Sequence, residues 1–169
     1  MKRIYVGFSR PNKWKPFSWL IQTAYGINYD HVYVRFHEDT YDRDIIYQAS
    51  STMVNFMSTS VFNANNVVVA EVPLDISDDN YLKMVQFCID NAGVPYGIKE
   101  IFGLAYVRVC YWLGKTVKNP FIDNGSTYVC SELVSTIILD FANIKLDKDP
   151  EDMTPLDVYN LIMSLSQKV

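Results

Sequence analysis

The sequence is poor in the residues that most often announce a function. It has two histidines and three cysteines in 169 residues. Cys88, Cys110 and Cys130 are far apart, odd in number and free of any CxxC pair, which argues against a disulfide framework or a zinc cage and fits a reducing compartment. No cluster of His, Asp and Glu has metal-ligand spacing, so no metal or other cofactor is expected. A basic excess is also missing: 15 Lys+Arg against 19 Asp+Glu give a net charge of −4, which speaks against nucleic acid as a partner. The first residues, Met1 to Ser9, lack the apolar run of a signal peptide, so a cytoplasmic protein is expected. No stretch reaches the ~18 uninterrupted apolar residues of a membrane span. The longest approach, Ile101 to Leu113, is broken by Arg108. Repeats, low-complexity runs and composition breaks are absent, which predicts a single domain over residues 1–169.

What is present is an ordinary globular composition, 49% hydrophobic and 20% charged, with twelve tyrosines. Ile4, Val6 and Phe8 alternate and predict a strand over 3–8, followed by a polar, basic loop over 9–15. Pro16 suits a first helical position and opens a short helix to about Ala24, ended by Gly26 and Asn28. Residues 30–36 predict a second strand, with Val32, Val34 and Phe36 on one face and His31, Tyr33 and Arg35 on the other. Residues 44–50 predict its hairpin return. Residues 54–62 fit a strand and a loop, and 67–73 a strand stopped by Pro73. Ser77 with Asp78 and Asp79 starts a helix carrying Tyr81, Met84, Val85, Cys88 and Ile89. A Val-Pro-Tyr-Gly turn at 94–97 precedes an apolar helical stretch to about Leu113, then a loop over 115–124. After an acidic linker at 147–153, Thr154 and Pro155 start a last helix.

The segment from Ser126 to Ala142 carries the chemistry. Leu133, Val134, Ile137, Ile138 and Phe141 recur at the spacing of one buried helical face. Ser126 or Thr127 can cap the helix, and Gly125 suits the turn into it. Cys130 then lies in the first turn, where free N–H groups and the positive end of the helix dipole favour a thiolate. A nucleophilic sulfur needs a base and a group to orient that base. His31 on a strand is the candidate base, since His37 lies in a charged turn. Gln48 on the return strand can accept the Nδ1–H of His31 from the same sheet face; a plain surface position for Gln48 fits equally. Cys88 and Cys110 fit packing positions. Glu132 fits a first-turn acid favoured by the dipole, and Tyr96 and Tyr128 fit wall or packing roles. Trp14, Phe17 and Trp19 can border a cleft or touch lipid, although helix-to-sheet packing accounts for Phe17 and Trp19 more simply.

Asp30-His31-Val-Tyr-Val, Tyr47-Gln48-Ala-Ser, Val94-Pro-Tyr-Gly97 and Tyr128-Val-Cys130-Ser-Glu-Leu-Val134 together resemble the circularly permuted, NlpC-type papain-fold cysteine hydrolases. The YiiX-like branch is nearest, and lecithin:retinol acyltransferase-like proteins are more distant. The resemblance covers roughly residues 4–142 and implies an α+β fold: an antiparallel sheet of four to six strands with packed helices, in permuted papain-like order. It implies Cys130 as nucleophile, His31 as general base and Gln48 as the third polar group. Glutamine departs from the Glu or His common there: it can orient an imidazole but lends it no charge. The implied activity is cleavage of an amide bond, such as a peptidoglycan stem peptide, through an acyl-enzyme. The alternatives are a lipid esterase or acyltransferase, or a scaffold of weak activity reused for binding or assembly. A peptide or lipid-acyl substrate is thus the expected partner. A short, Asn- and Tyr-rich chain also suits a virus-encoded, virion-associated protein.

Overall fold

The computed structural model describes residues 1–50, 52–118, 120 and 126–166. Among the described residues it is an α+β structure of five strands and six α-helices. In chain order these are β1 (Lys2–Pro11), α1 (Pro16–Tyr25), β2 (His31–Glu38), β3 (Arg43–Ser50), β4 (Met53–Ser58), α2 (Thr59–Asn65), β5 (Asn66–Ile76), α3 (Asp78–Asp90), α4 (Ile98–Trp112), α5 (Cys130–Phe141) and α6 (Pro155–Ser166). The strands form one sheet in the order β4-β3-β2-β1-β5, antiparallel at every neighbour.

Period-2 alternation builds the main core. Ile4, Val6 and Phe8 of β1 stand opposite Phe36, Val34 and Val32 of β2, and all six are buried. Burial of such side chains stabilises by about 1.5–3 kcal/mol each. The helix α5 lies on this face against β2 and β3 and also touches α3 and α6. Its Leu133, Val134, Ile137 and Ile138 are fully buried, as their spacing predicts. Ser77 accepts the Asn80 N–H at 3.1 Å and caps α3, whose buried residues are Tyr81, Met84 and Cys88. Ile89, expected to pack with them, is exposed.

Several boundaries differ from expectation for identifiable reasons. β5 runs through Pro73 because it is an edge strand, paired only to β1, so the missing N–H deprives no second neighbour. β1 continues to Pro11 because Ser9, Arg10 and Pro11 still find partners in Val68, Val67 and Asn66. Residues 53–65 resolve into β4 and a helix capped by Ser58, and Pro150–Asp152 forms a 3-10 turn within the acidic linker. Residues 119 and 121–124 of the 115–124 loop lie outside the described residues.

The opposite sheet face, onto which His31 projects, has its own small core. Phe62 of α2 packs on Tyr33 and Ile46. The Tyr33 hydroxyl donates to Glu71 at 2.8 Å, and Arg35 donates to Glu71 at 2.8 Å and to Asp44 at 2.9 Å. Gly7 makes the packing possible: a Cβ there would collide with the ring and hydroxyl of Tyr33.

Candidate active site

Three elements bring the expected site residues together. His31 is the first residue of β2, Gln48 lies on β3, and Cys130 is the first residue of α5. Val34 pairs with Tyr47, so period 2 puts His31 and Gln48 on one face, diagonal to each other. His31 Nε2 lies 2.7 Å from Gln48 Oε1. An amide oxygen only accepts, so Nε2 carries the proton. The expectation had this proton on Nδ1; the register instead presents the far ring nitrogen to Gln48, leaving Nδ1 for the sulfur.

Gln48 is only 3% exposed, so its amide needs partners. Its NH2 donates to Asn55 Oδ1 at 3.3 Å, directly across the β3–β4 ladder. Asn55 in turn donates to Ser50 Oγ and the Met53 carbonyl, each at 3.0 Å. This chain fixes which way the Gln48 amide faces, and with it the His31 tautomer. Asn55 was not singled out from sequence. The available signal was an inward polar residue in the alternating run Met53-Val-Asn-Phe-Met57, and only the register makes it meaningful. Further support comes from the rings of Tyr33 and Phe62, each 6.4 Å from the imidazole between centroids. Behind it, Gln22 of α1 donates to Asp30 at 3.1 Å.

Cys130 is 5% exposed. The His31 imidazole, the Val32 backbone N–H and the Tyr96 hydroxyl all act on its sulfur to favour the thiolate. The β2–β3 ladder ends at the Val34–Tyr47 pair, so it leaves Val32 to the sulfur. Tyr96, expected as wall or packing, is held on the thiol by short bridges on both sides of its turn. Its N–H donates to the Thr52 carbonyl at 3.0 Å, Met53 bridges Pro95, and Tyr96 bridges Tyr128 two residues before the cysteine.

The helix start differs in detail from expectation. Val129, rather than Ser126 or Thr127, is the N-cap residue, and it has no capping side chain. Glu132 instead reaches back and accepts the Val129 N–H at 3.3 Å, which accounts for a buried carboxylate in this turn. Gly125 lies outside the described residues.

The electrostatics follow from these contacts. Burial pushes the Cys130 thiol up. The hydrogen bond and charge of His31, then Val32 and Tyr96, more than reverse this and hold it below the ordinary thiol value. Burial pulls the His31 imidazole down, yet the bond and charge of Cys130, then Gln48 and Asp30, hold it above its ordinary value. Opposite shifts on two facing groups move each toward its charged form, thiolate and imidazolium.

The remaining candidates stand apart from this cluster. Cys88 is sealed in the core, and burial pushes its thiol up. Cys110 is buried within α4. His37 lies at the other end of β2, 3.0 Å from Asp44. Trp19 is exposed rather than packed on the sheet, and the side chain of Phe17 lies outside the described residues. Among the described residues no group of His, Cys, Asp and Glu gathers to hold a metal ion, and no helix is long and apolar enough to cross a membrane. No protein-family model matches the chain, and no curated protein matches it.

Proposed function

We propose that the protein is a cysteine-dependent hydrolase of amide or ester bonds, with Cys130 as nucleophile, His31 as general base and acid, and Gln48 as the residue that orients the imidazole. The observation that carries this reading is a thiol at the first residue of a helix set against an imidazole at the first residue of a strand. A thiol lowered despite burial faces an imidazole raised despite burial, and the imidazole's far nitrogen is pinned at 2.7 Å by an amide. A packing cysteine has no use for three polar partners. The order of parts, histidine on a strand, amide on the next and cysteine opening a later helix, supports a single domain of permuted papain-like, NlpC-type topology.

The chemistry balances without a further reagent. The Cys130 thiolate attacks the carbonyl carbon, and the carbonyl electrons move to oxygen. First-turn N–H groups of α5, starting with that of Cys130, stabilise the oxyanion. As the intermediate collapses, the His31 imidazolium gives its proton to the departing amine or alcohol, leaving a thioester on Cys130. Water then loses a proton to His31 and attacks the thioester. The acid leaves, and the thiolate–imidazolium pair is restored. Gln48 contributes position and no charge.

A peptide amide is the substrate the resemblance implies. The exposed aromatic side chains of α1 and α4 favour, as a second reading, an acyl lipid ester. Iodoacetamide labelling across pH tests the enzyme reading. Cys130 should be labelled selectively below the ordinary thiol value, and His31→Ala should remove that selectivity. Equal, slow labelling of all three cysteines would instead mark a scaffold without chemistry. A cleavage screen with peptidoglycan stem peptides and acyl lipids then separates the substrates.

A further inference from the structure

Every tryptophan of the chain is on the surface and belongs to one region. Trp14 just before α1, Trp19 within α1 and Trp112 at the end of α4 are 74%, 56% and 60% exposed. Leu20 of α1 and Tyr106, Val109, Tyr111 and Leu113 on or just after α4 are exposed as well, and the two helices touch. Tryptophan is usually largely buried, and scattered exposure needs no explanation, but a collected set does.

The charge of the same region is the reverse of the chain's. Residues 10–29 and 97–118 carry seven Lys/Arg and one Glu, a net +6 in a chain of net −4, so the remainder is −10. Arg10, Lys13, Lys15, Lys99, Lys115 and Lys118 are all exposed. A groove of about 340 Å³ between the end of β1 and α1 has Arg10, Lys13, Lys15, Trp14 and Trp19 among its lining residues, so bases and indoles share it.

We propose that the α1–α4 surface docks on anionic phospholipid bilayers, with the tryptophans and tyrosines at headgroup depth and the lysines and arginines against lipid phosphates. Rings with one apolar and one polar end, set among bases, match the chemistry of the headgroup layer. A second copy of this chain is a poor occupant, because the interface would oppose +6 to +6. Neither helix is long enough to cross, so the contact is peripheral. Both helices of the surface are linked to the candidate site. Gln22 of α1 holds Asp30 next to His31, and α4 begins two residues after Tyr96.

The test uses the full chain carrying Cys130→Ser, so its result is independent of the hydrolase reading. Vesicles of phosphatidylcholine alone and of an equimolar phosphatidylcholine–phosphatidylserine mixture are compared by co-sedimentation at low salt, with tryptophan emission followed in parallel. All three indoles lie on the proposed surface, so emission reports on it directly. The expected result is sedimentation with the anionic vesicles only, a blue shift on binding, and reversal of both by salt. Lys13→Glu with Lys15→Glu should weaken partitioning at least about tenfold, and Trp112→Ala should weaken it several-fold. Failure to sediment at low salt overturns the proposal. So does sedimentation without a blue shift that the charge reversals leave unchanged, or self-association that buries the same tryptophans.

Discussion

Cys88 and Cys130 are both buried on helices that border the same core, and they differ in everything else. Cys88 sits in the last turn of α3, near the negative end of the helix dipole, and burial pushes its thiol up. Cys130 opens α5 and has an imidazole, a backbone N–H and a phenol on its sulfur, so its thiol falls although burial opposes it. Burial therefore does not decide whether a thiol is inert. The decision lies with polar groups already desolvated and waiting when the sulfur arrives.

Three substitutions put the difference between the two thiols to the test. Cys130→Ala should remove hydrolysis by a factor of about 10⁴ or more, while Cys88→Ala should leave turnover nearly intact and lower thermal stability. Comparable losses of turnover for both would erase the distinction. His31→Ala should cost about 10²–10⁴ in turnover. The proposed reaction needs the cysteine deprotonated and the imidazole protonated, and the lowered thiol and raised imidazole both widen the pH range in which that holds. Activity should therefore fall on the acid side as sulfur is protonated and on the alkaline side as the imidazole loses its proton. Without His31 the acid limb should move up toward an ordinary thiol, as seen in a labelling–pH profile.

Smaller effects test the supports. Gln48→Leu should cost roughly tenfold, the loss of one buried hydrogen bond. Gln48→Glu should raise the alkaline limb by placing a negative charge against the imidazolium; unchanged limbs in both variants would put Gln48 outside the site. Tyr96→Phe should reduce turnover by about two- to tenfold and shift the acid limb upward. An unchanged profile would return Tyr96 to a packing role.

Much of this was legible beforehand because it is periodic or local. The alternation of Ile4, Val6 and Phe8, the 3–4 spacing along α5 and the serine cap of α3 each answer to a rule within ten residues. Cys130 was legible as the first-turn residue of an amphipathic helix, His31 as the strand histidine outside the charged turn, and Gln48 through the hairpin parity that puts it on the face of His31; the resemblance joined the three. Illegible parts depend on contacts distant in sequence. That Pro73 lies on an edge depends on where β5 joins the sheet. That Asn55 holds Gln48 depends on the β3–β4 register. That Tyr96 reaches the sulfur depends on two bridges tying its turn to β4 and to Tyr128. That Gln48 meets Nε2 of His31 depends on the β2–β3 register, which no motif encodes.

The early end of the β2–β3 ladder has a consequence of its own. One more rung would give the Val32 amide a carbonyl to satisfy and strip the sulfur of a donor. Regular structure and reactivity thus compete for the same N–H, and here the sheet yields. A substitution that stitched those strands further together would be expected to make a sturdier protein and a duller thiol.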